Sequence, residues 1–464
     1  MLAGCAARTG APAKAPLLAA SVPPTPAVVP APDPPWMVDL ETELAALRGL
    51  PFKWRVPFES ESRGAFRDKV RRDLSRELPA EKSTDLSRAY AALGFAPRDF
   101  DLAQAMEEAL ATQVSAYYDP EQRSFKVIGE HLALEDPKHA RVISHELVHA
   151  LQDQHFDLRA FTDDPRLDDD QRLARRFVVE GEATFLMMAH GLGDGPPAER
   201  RLGPWAVAEL RLGTRLLAAM DMLDMVTNAR EGSTAERVDS EARRELEALA
   251  HLPVVVTLPL FDPYFKGAEM ISQVWAAGGW PAVEALFRHP PDSTEQALHP
   301  AGKLLGHRDP PVRLRLPDRT GPLPAARPLQ SEVIGEHGWR VYFKTWGLPE
   351  PEAAAAGWGG DRYWSWAVGD RTLTLTATTW DSEADAVRFF DAYESTLPDR
   401  FPDSFSQPDG AGALRMETAP GLVLALLRRG RDVDIVSGAR PAELDRVRKA
   451  LGSVQRIRAE EPSP

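Results

Sequence analysis

The stretch Ser144-His145-Glu146-Leu147-Val148-His149-Ala150-Leu151-Gln152 decides how the rest of the chain is read. It contains H-E-x-x-H, the pattern with which one helix offers two imidazoles to a single metal ion. Residues four apart on a helix lie about 40° apart around the axis, one turn along. His145 and His149 therefore aim at a common point, and Glu146 stands beside them, within reach of a water at that point. In zinc hydrolases that water is the nucleophile and such a carboxylate its base. Val142, Ile143, Leu147, Val148, Ala150 and Leu151 give the helix an apolar side, which predicts a central helix. Pro137, after Asp136, marks its start.

Three protein ligands leave one position of a tetrahedral zinc open for water. His155, Glu180 and Glu182 compete for the third place. The run from His145 to His155 follows the long metzincin spacing, but Gln152 stands where that pattern has the glycine that turns the chain back to the metal. Glutamine predicts that the helix continues, which carries His155 about 240° around the axis from His149 and away from the site. Residues 170–188 read as a second helix, with Leu173, Phe177, Ala183, Leu186 and Met187 as apolar positions. A carboxylate inside such a run is costly to bury unless it is paired or metal-bound, which favours Glu180. Glu182 fits a solvated face better, and Arg175 or Arg176 can pair with either acid. Gly181 and Ala183 are small enough to let the two helices approach closely.

Two H-E-x-x-H histidines followed by a glutamate on the next helix resemble the gluzincin metallopeptidases. The segment Val179-Glu180-Gly181-Glu182-Ala183-Thr184 is similar to the Glu-Gly-x-Ala run of that clan, whose first glutamate is a ligand. The strings His145–Leu158 and Pro291–Pro300 look like bacterial metallopeptidases of unassigned substrate, and the resemblance spans roughly residues 40–320. It implies a zincin-like domain that holds Zn2+ through His145, His149 and Glu180, with Glu146 as catalytic base. Gluzincins often carry an acid one turn after the third ligand to orient a histidine. Thr184 occupies that place, a weaker partner.

The chain has 464 residues, enough for two domains, and a net charge of −14 from 55 basic and 69 acidic residues. With no basic stripe, nucleic acid is not expected as a partner; a peptide or protein substrate is. No apolar run is long enough to span a bilayer. Cys5 is the only cysteine, so no disulfide forms within the chain. Leu2-Ala3-Gly4-Cys5 resembles a bacterial lipobox, and the Ala/Pro-rich residues behind it read as an extended tether. The expectation is a lipid-anchored protein of the cell envelope; without that anchor it is secreted or cytoplasmic.

The fold expected is α+β. Residues 1–35 form the lipobox-like start and tether, and 36–307 a mainly helical zincin-like domain. Residues 308–330 are a Pro/Arg-rich linker, and 331–464 a small α+β accessory domain. Val114–Tyr118 and Ser124–Ile128 read as a hairpin, and an edge strand there would lie beside the metal helix, where substrate can add as a strand. Residues 204–231 read as one long helix, and the Met residues near it as core. Tyr264 and His299 are candidate donors to an oxyanion. Ser293–Gln296 reads as a capped helix start, and a packing role beside Pro300 competes for His299. In the last part, Thr372–Thr378 and the pair Leu422–Leu427 and Asp432–Val436 read as strands, and Asp381–Ser395 as a helix. Gly357–Trp364 reads as a glycine-aromatic turn.

These readings converge on a zinc-dependent peptidase. A metal-binding envelope protein without turnover, serving as scaffold or assembly factor, is the alternative. Retention of Glu146 speaks against it, since a structural site needs no base.

Overall fold

Apolar residues at helical spacing in the first quarter of the chain become a run of helices leading into a small sheet. The computed structural model describes residues 35–113, 115–129, 137–220, 251–317 and 321–458. In chain order come α1 (Pro35–Arg48), β1 (Phe58–Glu61), α2 (Arg63–Glu77), α3 (Ala80–Leu93), α4 (Leu102–Gln113), β2 (Ala116–Asp119) and β3 (Ser124–Ile128). Then follow α5 (Pro137–Phe156), α6 (Leu158–Thr162), α7 (Asp169–Leu192), α8 (Pro204–Ala219) and α9 (Val254–Arg288). Strand β3 is central in its sheet, pairing antiparallel with β2 and parallel with β1, so β2 is an edge.

Two long helices carry the motif residues. In α5 the helix runs unbroken past Gln152 to Phe156, as a glutamine in place of a helix-breaking glycine dictates. Helix α7 starts with a capping box: Asp168 accepts from the Gln171 amide at 2.9 Å, and the Gln171 side chain accepts from the Asp168 amide at 3.2 Å. Ile143, Leu147, Val148 and Ala150 of α5 share one core with Phe177, Val178, Ala183 and Phe185 of α7 and with Met270, Ile271 and Val274 of α9. The close approach expected between α5 and α7 occurs elsewhere. Gly181 packs on Gly267 of α9, where a Cβ on Gly181 would stand 2.4 Å from the Gly267 carbonyl carbon.

After α10 (Thr294–Leu298) and α11 (Pro300–Lys303), the chain builds a second unit. It contains β4 (Arg313–Arg315), β5 (Arg327–Glu332), α12 (Gly335–Thr345), α13 (Pro351–Ala355), β6 (Trp358–Val368) and β7 (Arg371–Trp380). It continues with α14 (Glu383–Ser395), α15 (Leu397–Arg400), β8 (Ser406–Pro408), β9 (Ala413–Ala419), β10 (Leu422–Arg429), β11 (Asp432–Ala439), α16 (Leu444–Gly452) and β12 (Gln455–Ile457). Seven antiparallel strands run in the order β5-β6-β7-β11-β10-β9-β8. The sheet alternates its side chains between two cores. Leu424, Leu426 and Ile435 face α12 and α14, while Val423, Ala425 and Val436 face Leu314 and the α16 residues Leu444 and Val447. The molecule is therefore α+β.

Three expectations need correction. The linker over 308–330 contains β4, which pairs with β12, and most of β5, the outer strand of the large sheet. Proline-rich segments are tolerated as edge strands, and composition alone does not separate those from linkers. Gly357–Trp364 is not a turn but the start of β6. The buried Asp361 explains it: its carboxylate accepts from the amides of Ile334 and Gly335 and from the indoles of Trp339 and Trp358. Burial still raises that carboxyl to about 6. The helix expected over 204–231 is seen as α8, with Met220 exposed just after it, and residues 221–250 lie outside those described, as do residues 1–34 with Cys5.

The two units share a core rather than touching through a linker. Ala89 and Leu93 of α3, Phe95 and Leu258 of α9 pack among Trp339, Tyr342, Phe343 and Phe389. Buried polar contacts run across the same boundary. Asp170 of α7 accepts from Thr294 at 2.5 and 3.1 Å, and the Thr294 hydroxyl accepts from the His337 amide at 3.1 Å. Lys303 reaches both Asp309 and Asp381 at 2.5 Å.

Candidate metal centre

Helical spacing on α5 sets His145 and His149 side by side, with ring centroids 4.7 Å apart and planes at 84°. Their Nε2 atoms stand 3.0 Å apart. Glu180, on α7, brings Oε2 to 3.4 Å from His145 Nε2 and 3.3 Å from His149 Nε2. All three side chains are buried. Nitrogen and oxygen ligands 2.0–2.1 Å from a tetrahedral zinc lie about 3.3 Å from one another. The observed triangle has that size. Two imidazole nitrogens facing each other at 3.0 Å repel unless a proton or a cation lies between them. The donor set thus fits a divalent metal.

Electrostatics point the same way. Burial alone would raise the Glu180 carboxyl, but the two imidazoles hold it well below the usual carboxylate range. Burial would lower His149, yet the Glu180 and Glu146 carboxylates and Gln152 raise it to about 8. The site holds excess negative charge for a cation to neutralise.

The orienting contacts come from residues for which the sequence predicted other roles. Gln152 Oε1 lies 2.9 Å from His149 Nδ1, which fixes that nitrogen as the N–H and leaves Nε2 as the lone-pair donor. Its amide nitrogen donates to the Val179 carbonyl and to Glu182 Oε2, each at 2.9 Å. Glu182 in turn is paired with Arg48 at 2.5 Å, both buried, and the Arg48 guanidinium lies 4.6 Å from the Trp280 ring centre. Glu182 is therefore not on a solvated face. Neither Arg175 nor Arg176, the partners expected on its own helix, pairs with it; Arg175 donates to the Phe161 carbonyl at 2.6 Å. The partner sits 134 residues away in α1, a distance no local pattern reports. Thr184 is buried with its hydroxyl unpaired among the described residues, so Gln152 takes the orienting task instead. The signal available in sequence was the helical i, i+3 spacing of His149 and Gln152.

Glu146 accepts the Tyr118 amide at 2.8 Å, a hydrogen bond from edge strand β2. The base candidate is thereby oriented by the strand expected beside the metal helix. Tyr264 of α9 stacks on His145, centroids 5.3 Å apart and planes 16° from parallel. Burial and the Glu180 and Glu146 charges push its phenol well above its ordinary pKa, so it stays protonated. Two other candidates fall elsewhere. His155 reaches the Pro51 carbonyl at 2.8 Å, as its angular position on a continuous helix dictates. His299 pairs with Glu336 at 2.8 Å and is half-exposed, which gives it a structural partner between the two units.

A cavity of about 570 Å³ opens beside this centre, and Glu180 is the ligand that lines it. Leu86, Leu102, Val255 and Leu260 supply apolar wall from the first unit. Glu332, Ile334, His337 and Tyr363 supply wall from the second.

A family model described as a domain of unknown function (DUF8575) matches residues 325–448. No curated protein and no solved structure matches the chain. The matched segment contains none of the three candidate metal ligands, but it contributes one side of the cavity next to them.

Proposed function

We propose that this chain is a zinc-dependent peptidase of gluzincin type, with a zincin-like first unit, His145, His149 and Glu180 as ligands and Glu146 as general base. The observation that carries the reading is the triangle of donor atoms, 3.0, 3.3 and 3.4 Å on its sides, buried beside a carboxylate that does not belong to it. A zinc ion held there would polarise the scissile carbonyl and lower the pKa of water from ~15.7 to near 7.

The chain's own groups supply the remaining steps. Glu146, held by the Tyr118 amide, takes the proton of the attacking water and passes it to the departing amine as the C–N bond breaks. The Tyr264 phenol, kept protonated beside Glu180, would be the donor to the oxyanion. Gln152 keeps His149 in one tautomer. Strand β2, whose Tyr118 amide serves Glu146, would present its remaining edge groups to an extended peptide.

Metal content of the purified protein, measured with hydrolysis of an internally quenched peptide library, tests this. Glu180→Ala should lose the metal, His155→Ala should keep it, and Glu146→Gln should keep the metal while hydrolysis falls by ~10²–10⁴-fold. Unchanged metal content in Glu180→Ala would overturn the ligand assignment. Full hydrolysis by Glu146→Gln would overturn the mechanism.

A further inference from the structure

Helix α7 carries three arginines on the approach to Glu180. Arg172 pairs with Asp169 at 2.7 Å, and Arg175 donates to the Phe161 carbonyl. Arg176 is different: among the described residues it has no hydrogen-bond or ion-pair partner, although it is half-buried and lines the cavity. It lies one helical turn before Glu180, so the two side chains share a face, with Cβ atoms about 5–6 Å apart. Its charge reaches the Tyr264 phenol, which stacks on His145. A cation without a partner among the described residues, in a cavity of mixed apolar and charged lining beside a candidate hydrolytic centre, can take an anion from outside the chain.

Among the described residues no ion pair joins Arg176 to a carboxylate of the cavity: Glu121 faces Arg76 and Arg159, Asp163 faces Arg159, and Asp170 accepts from Thr294. Asp169 has Arg172 at 2.7 Å. Glu332 accepts the Asp169 amide at 3.3 Å and faces Arg172 and Arg362. Glu180 is engaged by the two imidazoles.

We infer that Arg176 anchors a carboxylate of the bound peptide, and that this carboxylate is the free C-terminus. An arginine fork accepts a carboxylate through two parallel hydrogen bonds, and a partly desolvated site strengthens them. Arg176 stands one helical turn, about 5.4 Å along the axis, from the candidate ligand Glu180, so the anchored terminus lies close to the scissile carbonyl and the product released is a short C-terminal fragment. Ile334, His337 and Tyr363 of the second unit also line the cavity.

This inference rests on the peptidase reading, and binding separates the two. Full-length Glu146→Gln protein is titrated with N-acetyl-tetra-alanyl-leucine, with its C-terminal amide, and with an amide in which one alanine is replaced by glutamate. The free acid should bind about 10–100-fold tighter than the neutral amide, and Arg176→Met should bring the ratio close to one. Arg176→Lys should retain part of the preference, and matching melting temperatures exclude a folding defect. Equal binding of acid and neutral amide, or a preference that survives Arg176→Met, overturns the anchor. Preference for the glutamate-bearing amide, lost in Arg176→Met, overturns the C-terminal assignment. If wild-type protein hydrolyses none of these peptides while the preference holds, the peptidase reading falls and the anchor stands.

Discussion

His149 is held from both ends: Glu180 Oε2 stands 3.3 Å from Nε2, and Gln152 Oε1 2.9 Å from Nδ1. Behind Gln152 stand Glu182 and then Arg48, so a candidate ligand on α5 is braced by a cation from α1. Gln152→Leu removes that brace without touching a ligand. Metal affinity should fall by ~10–100-fold, measured by competition with a chelator, while the fold is kept. Arg48→Met is a different experiment, because it leaves the buried Glu182 carboxylate without its cation. Thermal or denaturant unfolding should show a loss of about 3–5 kcal/mol. The two glutamates of Val-Glu-Gly-Glu-Ala-Thr are separated by one residue and have unlike roles. Local patterning recognised Glu180 but sent Glu182 to the surface, because its partner is remote in sequence.

At the scale of elements, the position of Glu180 depends on how α7 crosses α9. The crossing is glycine on glycine: a Cβ at Gly267 would meet the Phe177 carbonyl oxygen at 2.6 Å and Gly181 Cα at 3.0 Å. Backbone cannot yield as a flexible side chain does. Gly181→Ala should destabilise by ~1–3 kcal/mol on overpacking and lower metal content by shifting the adjacent ligand, both read on one purified variant. The start of α12 imposes a second constraint. Gly335 has φ +74°, and a Cβ there would stand 1.8 Å from Asp170 Oδ1. Helices and strands of the second unit were largely legible from period alone: the hairpin β10–β11, strand β7 and helix α14 fall where alternation and amphipathicity placed them. Strands β4 and β5 were not, since prolines and arginines mask short edge strands.

Across the whole molecule, the two units line one cavity and share one core, so removing residues 325–458 should not leave a soluble, folded first unit. The exposed Leu93, Phe95 and Leu258 would favour aggregation, seen as loss of soluble monomer on size-exclusion chromatography. The same interface should make stability depend on pH. Burial, with Asp169 beside it, raises the Glu332 carboxyl to about 7. The folded state then holds a proton that the unfolded chain releases near 4.5. This contribution is fully present below ~4.5, shrinks as pH rises through ~7 and is gone above it. Melting temperature followed from pH 4 to 8 should show a smaller decline in Glu332→Gln than in the parent. An identical decline would remove Glu332 as its source.

The sequence by itself determined the candidate ligand set: helical spacing puts two imidazoles on one face, and burial cost singles out Glu180 within an apolar helix. It also determined the α+β class, because periods of 3.6 and 2 are local properties of the chain. Tertiary structure alone decided what surrounds that centre. The Gln152–Glu182–Arg48 brace, Tyr264 stacked on His145 and the cavity wall from the second unit all join residues far apart in the chain. Such pairings follow from how α7, α9 and the large sheet pack. Packing is set by side-chain volumes summed over several elements, which no single stretch of sequence contains.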